Sequence, residues 1–522
     1  MNTVSKTLLL PLALLCLLPV SCSSSKAQED PVEEPELEQI TVSRICTSQD
    51  GKPYLEVDGK AFPVYGAQIR LDIFRSVDNL DWPDIEPYFA LAEELGVNSI
   101  QVPCPWAFIE PKQDQWDFTC VDQTMEFALK HNLKVELLWF STNFIGDSYS
   151  WLVPTYILSM PSIRLKRDSD GEFHALYGYT YALDFDDDTV LEREVNAVTR
   201  LFAHIRAWDA ENGNTHPIIS CQVHNEPDAL VRWRLDEKHI ARKDGTLLTK
   251  TEAWDMTLKA LDIVGKAVKN SAYSVATRTN IISGDGVKDS PQTPGISPKD
   301  VNALSGIDFV SFDPYMSTVN QIAYEVSQYG SMDGNYPLIA ENRGDYSNTP
   351  SLMLTATALG GGYDIYDLAT SKYISTHNAA PWNSEGIYKY DFTPKPQVAP
   401  TSVLLGGLIA AGEDVALTPT QDFAAFNIRT DSPQTTLSQT ISTTGATLKF
   451  ETSAGALAFV LDRGDSLVAF ATADGTLTVS GGTLTSESGN VVRMTGGKLY
   501  RLPFKSSGSV TSTCKKNIGT IF

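Results

Sequence analysis

Between residues 62 and 370 the sequence repeats one pattern. A short apolar run rich in Val, Ile and aromatic residues is followed by a longer segment whose apolar residues recur at helical spacing. Such runs read as strands buried on both faces, which is how a parallel sheet covered by helices is written. The runs are Phe62–Ile69, Asn98–Pro103, Lys134–Phe140, Ile218–His224, Tyr273–Thr277, Phe309–Asp313, Leu338–Ala340 and Tyr363–Tyr366. Helix patterns lie between them at Ile85–Leu95, ending at Gly96, at Cys120–His131, at Leu191–Asn212, and at Trp254–Asn270 after Thr251 as N-cap. Eight such units over about 310 residues predict a (β/α)8 barrel with insertions. The rival is an open doubly wound sheet. That fold usually carries a glycine-rich phosphate turn after its first strand, where this chain reads Ala67-Gln68-Ile69-Arg70.

After Pro400 the composition shifts to Thr, Ser, Gly, Val and Ala. Short apolar runs such as Ala456–Leu461, Leu467–Thr472 and Lys498–Phe504 recur between turns. This predicts an antiparallel, sandwich-like β-domain over 401–510, after a barrel over 41–400 and before a tail at 511–522, with one apolar helix at Ser402–Ala411 on the way. At the other end, Lys6 precedes fourteen residues, Thr7 to Val20, that are apolar but for the first. The run suits a signal-peptide core and is shorter than the roughly 20 residues a membrane span requires. It continues as Leu18-Pro19-Val20-Ser21-Cys22, which resembles a bacterial lipoprotein signal. That resemblance implies cleavage before Cys22 and lipidation of its thiol; an ordinary secretory signal is the alternative. Residues 1–22 are thus expected to direct export, to a membrane-anchored or a secreted form. Residues 23–40, rich in Ser, Pro and Glu, are expected to form an acidic tether.

A net charge of −23 argues against nucleic acid or an anionic membrane surface as partner. Beyond Cys16 and Cys22, the cysteines at 46, 104, 120, 221 and 514 are odd in number and without CxxC spacing, so no metal site or disulfide scaffold is expected. The chemistry of a parallel barrel sits at the C-terminal strand ends, and two glutamates stand there. The fourth run passes from Ile218 through His224 into Asn225-Glu226-Pro227, and the seventh ends Leu338-Ile339-Ala340-Glu341. Two such carboxyls at one mouth, about 5 Å apart, suit glycoside hydrolysis with retention: one neutral, to protonate the leaving oxygen, and one ionised, to attack the anomeric carbon.

Asn225-Glu226-Pro227 and Glu341 resemble the signature of clan A retaining glycoside hydrolases. The stretch Val102-Pro103-Cys104-Pro105-Trp106-Ala107-Phe108-Ile109-Glu110-Pro111, with Gln115-Trp116-Asp117-Phe118, is similar to the strand-two region of β-galactosidases of families 35 and 42. The likeness covers roughly residues 55–390. It implies Glu226 as acid/base, Glu341 as nucleophile, Asn225 as donor to the sugar 2-hydroxyl, no cofactor, and an oligosaccharide or polysaccharide substrate.

Other residues carry a functional and a structural reading side by side. Tyr315 can orient the nucleophile or pack on the rim; Arg70 can bind substrate or orient Glu341, or form a plain ion pair. Trp382 and Trp106 can stack on a sugar or serve as core. His224 can donate to the sugar or satisfy the neighbours of Glu226. Two rival functions remain: a surface glycan-binding protein on the same barrel, and a metal-dependent barrel enzyme. The second needs acids at three successive strand ends, and the chain offers Glu226 and Asp313 with none at the fifth.

Overall fold

A computed structural model describes residues 37–143, 152–166, 169–174, 182–232, 239–282, 297–372, 385–428, 437–485 and 489–507. All elements below belong to the compact unit that begins at Gln39. Eight parallel strands close into a barrel in chain order. They are β1 (Tyr65–Gln68), β2 (Ser99–Pro105), β3 (Lys134–Asn143), β4 (Ile218–Asn225), β5 (Ala276–Ile282), β6 (Phe309–Asp313), β7 (Leu338–Arg343) and β8 (Gly362–Tyr366). Pairing of Tyr363 with Tyr65 closes the ring between β8 and β1.

The fifth strand departs from expectation. Tyr273–Ser274 forms a separate short strand with Ile40–Thr41, and the barrel strand is Ala276–Ile282. Its side chains that face the barrel axis are polar, Arg278 and Asn280, so a search for apolar runs passes over it.

The helices over the barrel include α1 (Trp82–Leu95), α2 (Thr119–Lys130), α3 (Asp188–Glu211), α4 (Lys250–Lys269), α5 (Val319–Tyr329) and α6 (Thr349–Ala358). Local chemistry sets their ends. Gly96 ends α1 at φ 90°, where a Cβ would be strained. Asp187 caps α3 by accepting from the Val190 N–H. The cap of α4 is Thr249 rather than Thr251, because Glu252 reaches back to complete a reciprocal capping box.

Along the barrel axis the packing changes character. At the N-terminal end, Leu55 and Val57 of the hairpin Ser43–Thr47/Pro53–Val57 pack with Val64, Ile219, Ala276, Phe309 and Leu338. Ser43 fastens this plug by donating to the Ile219 carbonyl at 2.5 Å and accepting from the Ala276 N–H at 2.9 Å. Above it lies a polar layer. Arg278 of β5, fully buried, stands 3.5 Å from Glu136 of β3 and donates to Gln222 of β4 and, at 3.0 Å, to Ser311 of β6. Gln101 of β2 donates to Asp364 of β8 at 2.5 Å. The layer is so full that a Cβ on Gly66 would lie 2.1 Å from Asp364 Oδ1. With the bottom plugged and the middle filled, the C-terminal mouth is where a ligand can enter.

The long loops after β3 and β4 are not structureless. Ser162–Lys166, Phe173–His174, Ala182–Leu183, His239–Arg242 and Leu247–Leu248 form one antiparallel sheet, with His239–Arg242 of the second loop paired to Ser162–Lys166 of the first. Arg242 adds ion pairs to Asp184 at 2.8 Å and Asp186 at 2.5 Å, which accounts for much of the acidic run before α3. The period-2 alternation of Ser162-Ile163-Arg164-Leu165-Lys166 is the signal for it in the sequence.

Helix α7 (Val398–Ala411) leads from the barrel to the β-domain. There the strands are β9 (Phe423–Ile428), β10 (Leu437–Ser442), β11 (Thr447–Thr452), β12 (Ala456–Asp462), β13 (Ser466–Ala471), β14 (Gly475–Ser480), β15 (Gly482–Leu484), β16 (Val491–Met494) and β17 (Leu499–Ser506). They form two antiparallel sheets, β9-β12-β13-β17-β15 and β10-β11-β14-β16. Phe426, Val460, Leu467, Phe450 and Leu477 fill the space between the sheets. The outer face of the first sheet, through Phe459 and Phe470, joins the barrel's own core with Leu404, Leu405 and Leu408 of α7. At this joint a Cβ on Gly407 would come within 2.6 Å of the Phe470 ring. Gly407→Ala is therefore expected to destabilise the chain by about 1–3 kcal/mol through overpacking; a denaturant midpoint equal to wild type would refute this contact.

Candidate active site

The strand ends converge on two buried carboxyls. β4 delivers Asn225 and then Glu226, and β7 carries Glu341 within a register shift between Ile339 and Asn342. Each glutamate is 7% exposed. The backbone is left-handed at His224 (φ 59°), Glu226 (φ 44°) and Tyr315 (φ 45°). Non-glycine residues adopt this conformation at a cost of about 1–3 kcal/mol, and it is retained where surrounding contacts hold it.

Those contacts can be traced residue by residue. Glu341 Oε1 accepts from Gln68 Nε2 at 3.2 Å, and Oε2 accepts from the Tyr315 hydroxyl. The peptide N–H of Glu226 donates to Asn280 Oδ1 at 2.9 Å. Asn225 Oδ1 accepts from Gln222 Nε2 at 3.1 Å and from Asn280 Nδ2 at 2.9 Å, which fixes the orientation of its amide. Arg70 is held bidentately by Asp72, at 3.0 and 2.9 Å, and donates to the Tyr366 hydroxyl at 3.1 Å.

The two carboxyls sit in different fields. Burial, then the charges of Glu341 and Asp228, push Glu226 well above the ordinary carboxylate range. Burial also raises Glu341, but the Tyr315 hydroxyl, the Arg70 charge and Gln68 all pull it back down. Glu226 is therefore the group that keeps a proton, and Glu341 the one whose anion is supported. A second acidic pair lies beside them: burial raises Asp367 to about 7 against the charges of Arg70 and Lys395, and burial with the Asp367 charge raises Glu385 to about 8.

The structure thus brings together Glu226, Glu341, Asn225, Tyr315 and Arg70. It places the others elsewhere. Trp106 is fully buried with its indole N–H donated to Glu110 Oε2 at 3.0 Å, so no face is open to a ligand. His224 is 1% exposed; its Nε2 lies 2.8 Å from Glu194 of α3, which also takes the Trp139 indole N–H at 2.9 Å. The imidazole thus fastens β4 to the helix layer. Trp382 and Cys22 lie outside the described residues.

Gln68, Asn280, Tyr366 and Glu385 belong to no motif that marks them in the sequence. Gln68 and Asn280 are both axis-facing positions of barrel strands, and inward polar residues at period 2, as in Ala276-Thr277-Arg278-Thr279-Asn280, are the available signal.

Residues 256–433 match the family model described as a domain of unknown function (DUF4978), and residues 4–73 match another described in the same words (DUF4969). No curated protein matches the chain. Among solved structures the chain is similar to the exo-β-1,4-mannosidase Op5Man5 from Opitutaceae bacterium strain TAV5, at 13% identity and a TM-score of 0.46 over 72% of this chain and 63% of that one. It is also similar to a β-galactosidase from Halorubrum lacusprofundi, at 14% identity and 0.47 over 66% of this chain and 58% of that one. A third, the β-galactosidase from the psychrophilic Marinomonas ef1, aligns at 12% identity and 0.48 over 68% and 62%. The matched part is less than two thirds of each of those chains.

Proposed function

We propose that this chain is a retaining glycoside hydrolase, β-galactosidase-like, that cleaves β-linked glycans outside the cytoplasm. One observation carries the reading: two buried carboxyls from β4 and β7 share the barrel mouth, with surroundings that favour the proton on Glu226 and the charge on Glu341. In the first step a Glu341 oxygen bonds to the anomeric carbon as the glycosidic C–O bond breaks, and the leaving oxygen takes the Glu226 proton. In the second, Glu226 as base removes a proton from water, whose oxygen bonds to the anomeric carbon and releases Glu341. Asn225 donates to the sugar 2-hydroxyl, and Arg70 orients the Glu341 side of the site through its charge. The galactoside preference rests on the resemblance of the strand-two region, and the site of action on the N-terminal apolar run ending at Cys22.

The test is reducing-sugar release from a panel of β-galactosides, β-glucosides and β-mannosides, with wild type and Glu341→Ala side by side and the anomer of the first product followed by NMR. Release with retained configuration by wild type alone supports the reading. Binding of a glycan with no release from any member would point instead to a non-hydrolytic glycan-binding barrel.

The Tyr315 hydroxyl supplies a finer check. Tyr315→Phe removes a donor to a carboxylate, an interaction of about 1.5–3 kcal/mol, so kcat is expected to fall by roughly 10- to 100-fold. The acid limb of the pH profile should move up, because Glu341 loses a contact that favours its ionised form. Wild-type kcat in this variant would show that the hydroxyl does not serve Glu341.

A further inference from the structure

Joined to Glu226 is a row of three buried amides, Gln222 and Asn225 of β4 and Asn280 of β5, of which only Asn225 has a part in the reaction above. At one end, Gln222 is the register partner of Arg278 and its Oε1 accepts from the guanidinium. At the other, Asn280 Oδ1 accepts the Glu226 peptide N–H at 2.9 Å. A guanidinium and a peptide N–H only donate, so both amides must meet them with oxygen and turn their amino groups elsewhere. Those amino groups converge on Asn225, with Gln222 Nε2 3.1 Å and Asn280 Nδ2 2.9 Å from its Oδ1. Asn280 places its second hydrogen on Asp313 Oδ2 at 2.7 Å, so its amide is fully used. Turned over, Asn225 would set its own amino group against two donors that cannot reverse.

We propose that Asn280 and Gln222 are positioning residues for the sugar 2-hydroxyl: they hold the Asn225 amide with its oxygen toward themselves, so that it offers N–H rather than C=O to that hydroxyl. This rests on the glycosidase reading, in which Asn225 is the donor there. A hydroxyl has one proton and two lone pairs. It accepts from Asn225 and keeps its proton for an acceptor, whereas a reversed amide would compete for that proton. The contact to the 2-hydroxyl strengthens as the anomeric carbon gains positive charge. An amide already held in one orientation before substrate arrives therefore acts on the transition state without reorganising. Because the peptide N–H that aligns Asn280 belongs to Glu226, one network sets both the acid/base and the 2-hydroxyl donor.

The experiment compares kcat/KM on a dinitrophenyl β-glycoside of whichever sugar wild type accepts with kcat/KM on its 2-deoxy counterpart. It uses wild type, Asn280→Ala, Asn225→Ala and the double variant. Dinitrophenol leaves without a proton, so the comparison does not depend on the acid step of Glu226. Wild type should prefer the substrate that carries the 2-hydroxyl. Asn280→Ala removes one of the two donors that align Asn225, and should shrink that preference by roughly 3- to 10-fold. The double variant should show the same preference as Asn225→Ala alone, because Asn280 acts through Asn225. Gln222→Met, which removes the other donor, should shrink the preference in the same direction and serves if Asn280→Ala does not fold. An equal loss on both substrates in a folded variant would mark a merely structural contact and overturn the positioning role, leaving Glu226 and Glu341 in place. A preference in the double variant below that of Asn225→Ala would overturn it too, since Asn280 would then reach the hydroxyl by another route. Hydrolysis by Glu341→Ala at the wild-type rate would instead overturn the glycosidase reading itself, and this role with it.

Discussion

Glu341→Ala is expected to lower kcat/KM on an aryl β-glycoside by on the order of 10⁴-fold, about 5.4 kcal/mol of transition-state stabilisation. The variant loses the atom that bonds to the anomeric carbon, and no described group can replace it: the Tyr315 hydroxyl and Gln68 amide that converge on Glu341 are its donors, not nucleophiles. Stability should be unchanged or improved, because the substitution removes a buried charge facing Glu226 and Asp313. Azide separates loss of the nucleophile from loss of the fold. A small anion filling the vacated space should restore turnover and give a glycosyl azide of inverted configuration, since only one displacement then occurs. A folded variant with wild-type turnover, or an azide product of retained configuration, would remove Glu341 from the role of nucleophile.

Arg278→Met should have the largest effect on folding. The guanidinium is fully buried, 3.5 Å from Glu136, and donates to Gln222 and Ser311. Its charge also lowers Asp364 and Glu136, both of which burial raises. Removing one partner of such a group leaves the others uncompensated, at a cost of about 3–5 kcal/mol. The sign of the pH dependence follows. Without Arg278 the folded-state values of both carboxyls rise further above their unfolded values. A carboxyl of that kind costs nothing while protonated in both states, and progressively more as pH climbs from the unfolded value toward the folded one. The loss should therefore be smaller near pH 4 than near pH 8, as urea unfolding at both values would measure. A loss under about 1 kcal/mol at pH 8 would mean that Met packing offsets the ionic layer.

What could be read from the sequence depended on which side of a strand carried the information. Runs such as Ile218–His224 and Phe309–Asp313 are legible because they keep apolar residues, Cys221 and Val223 or Val310 and Phe312, alternating with the polar inward ones, where the fifth strand has Thr277 and Thr279. The fifth strand is not, since Arg278 and Asn280 make it look like a loop. Glu226 and Glu341 are legible because each follows an apolar run at a strand's C-terminal end. Asn280 and Gln68 are not, because their roles exist only when β5 and β1 curve round to meet β4 and β7. Trp106 shows the reverse failure: an aromatic next to a strand end looks available until Glu110, four residues on, is found holding its indole N–H inside. Thr249 and Thr251 are equally good caps for α4 in isolation, and only the side chain of Glu252 decides for Thr249.

The sheet shared by the loops after β3 and β4 couples two parts of the chain that are separated in sequence by the whole of α3 and β4. His239–Arg242 pairs with Ser162–Lys166 over four consecutive residues, and Arg242 ties itself to Asp184 and Asp186. A one-residue shift of either paired strand turns every side chain on it to the opposite face. Exchange of either loop alone with that of another barrel would therefore strand its partner, and recombining these loops requires that both segments travel as a pair.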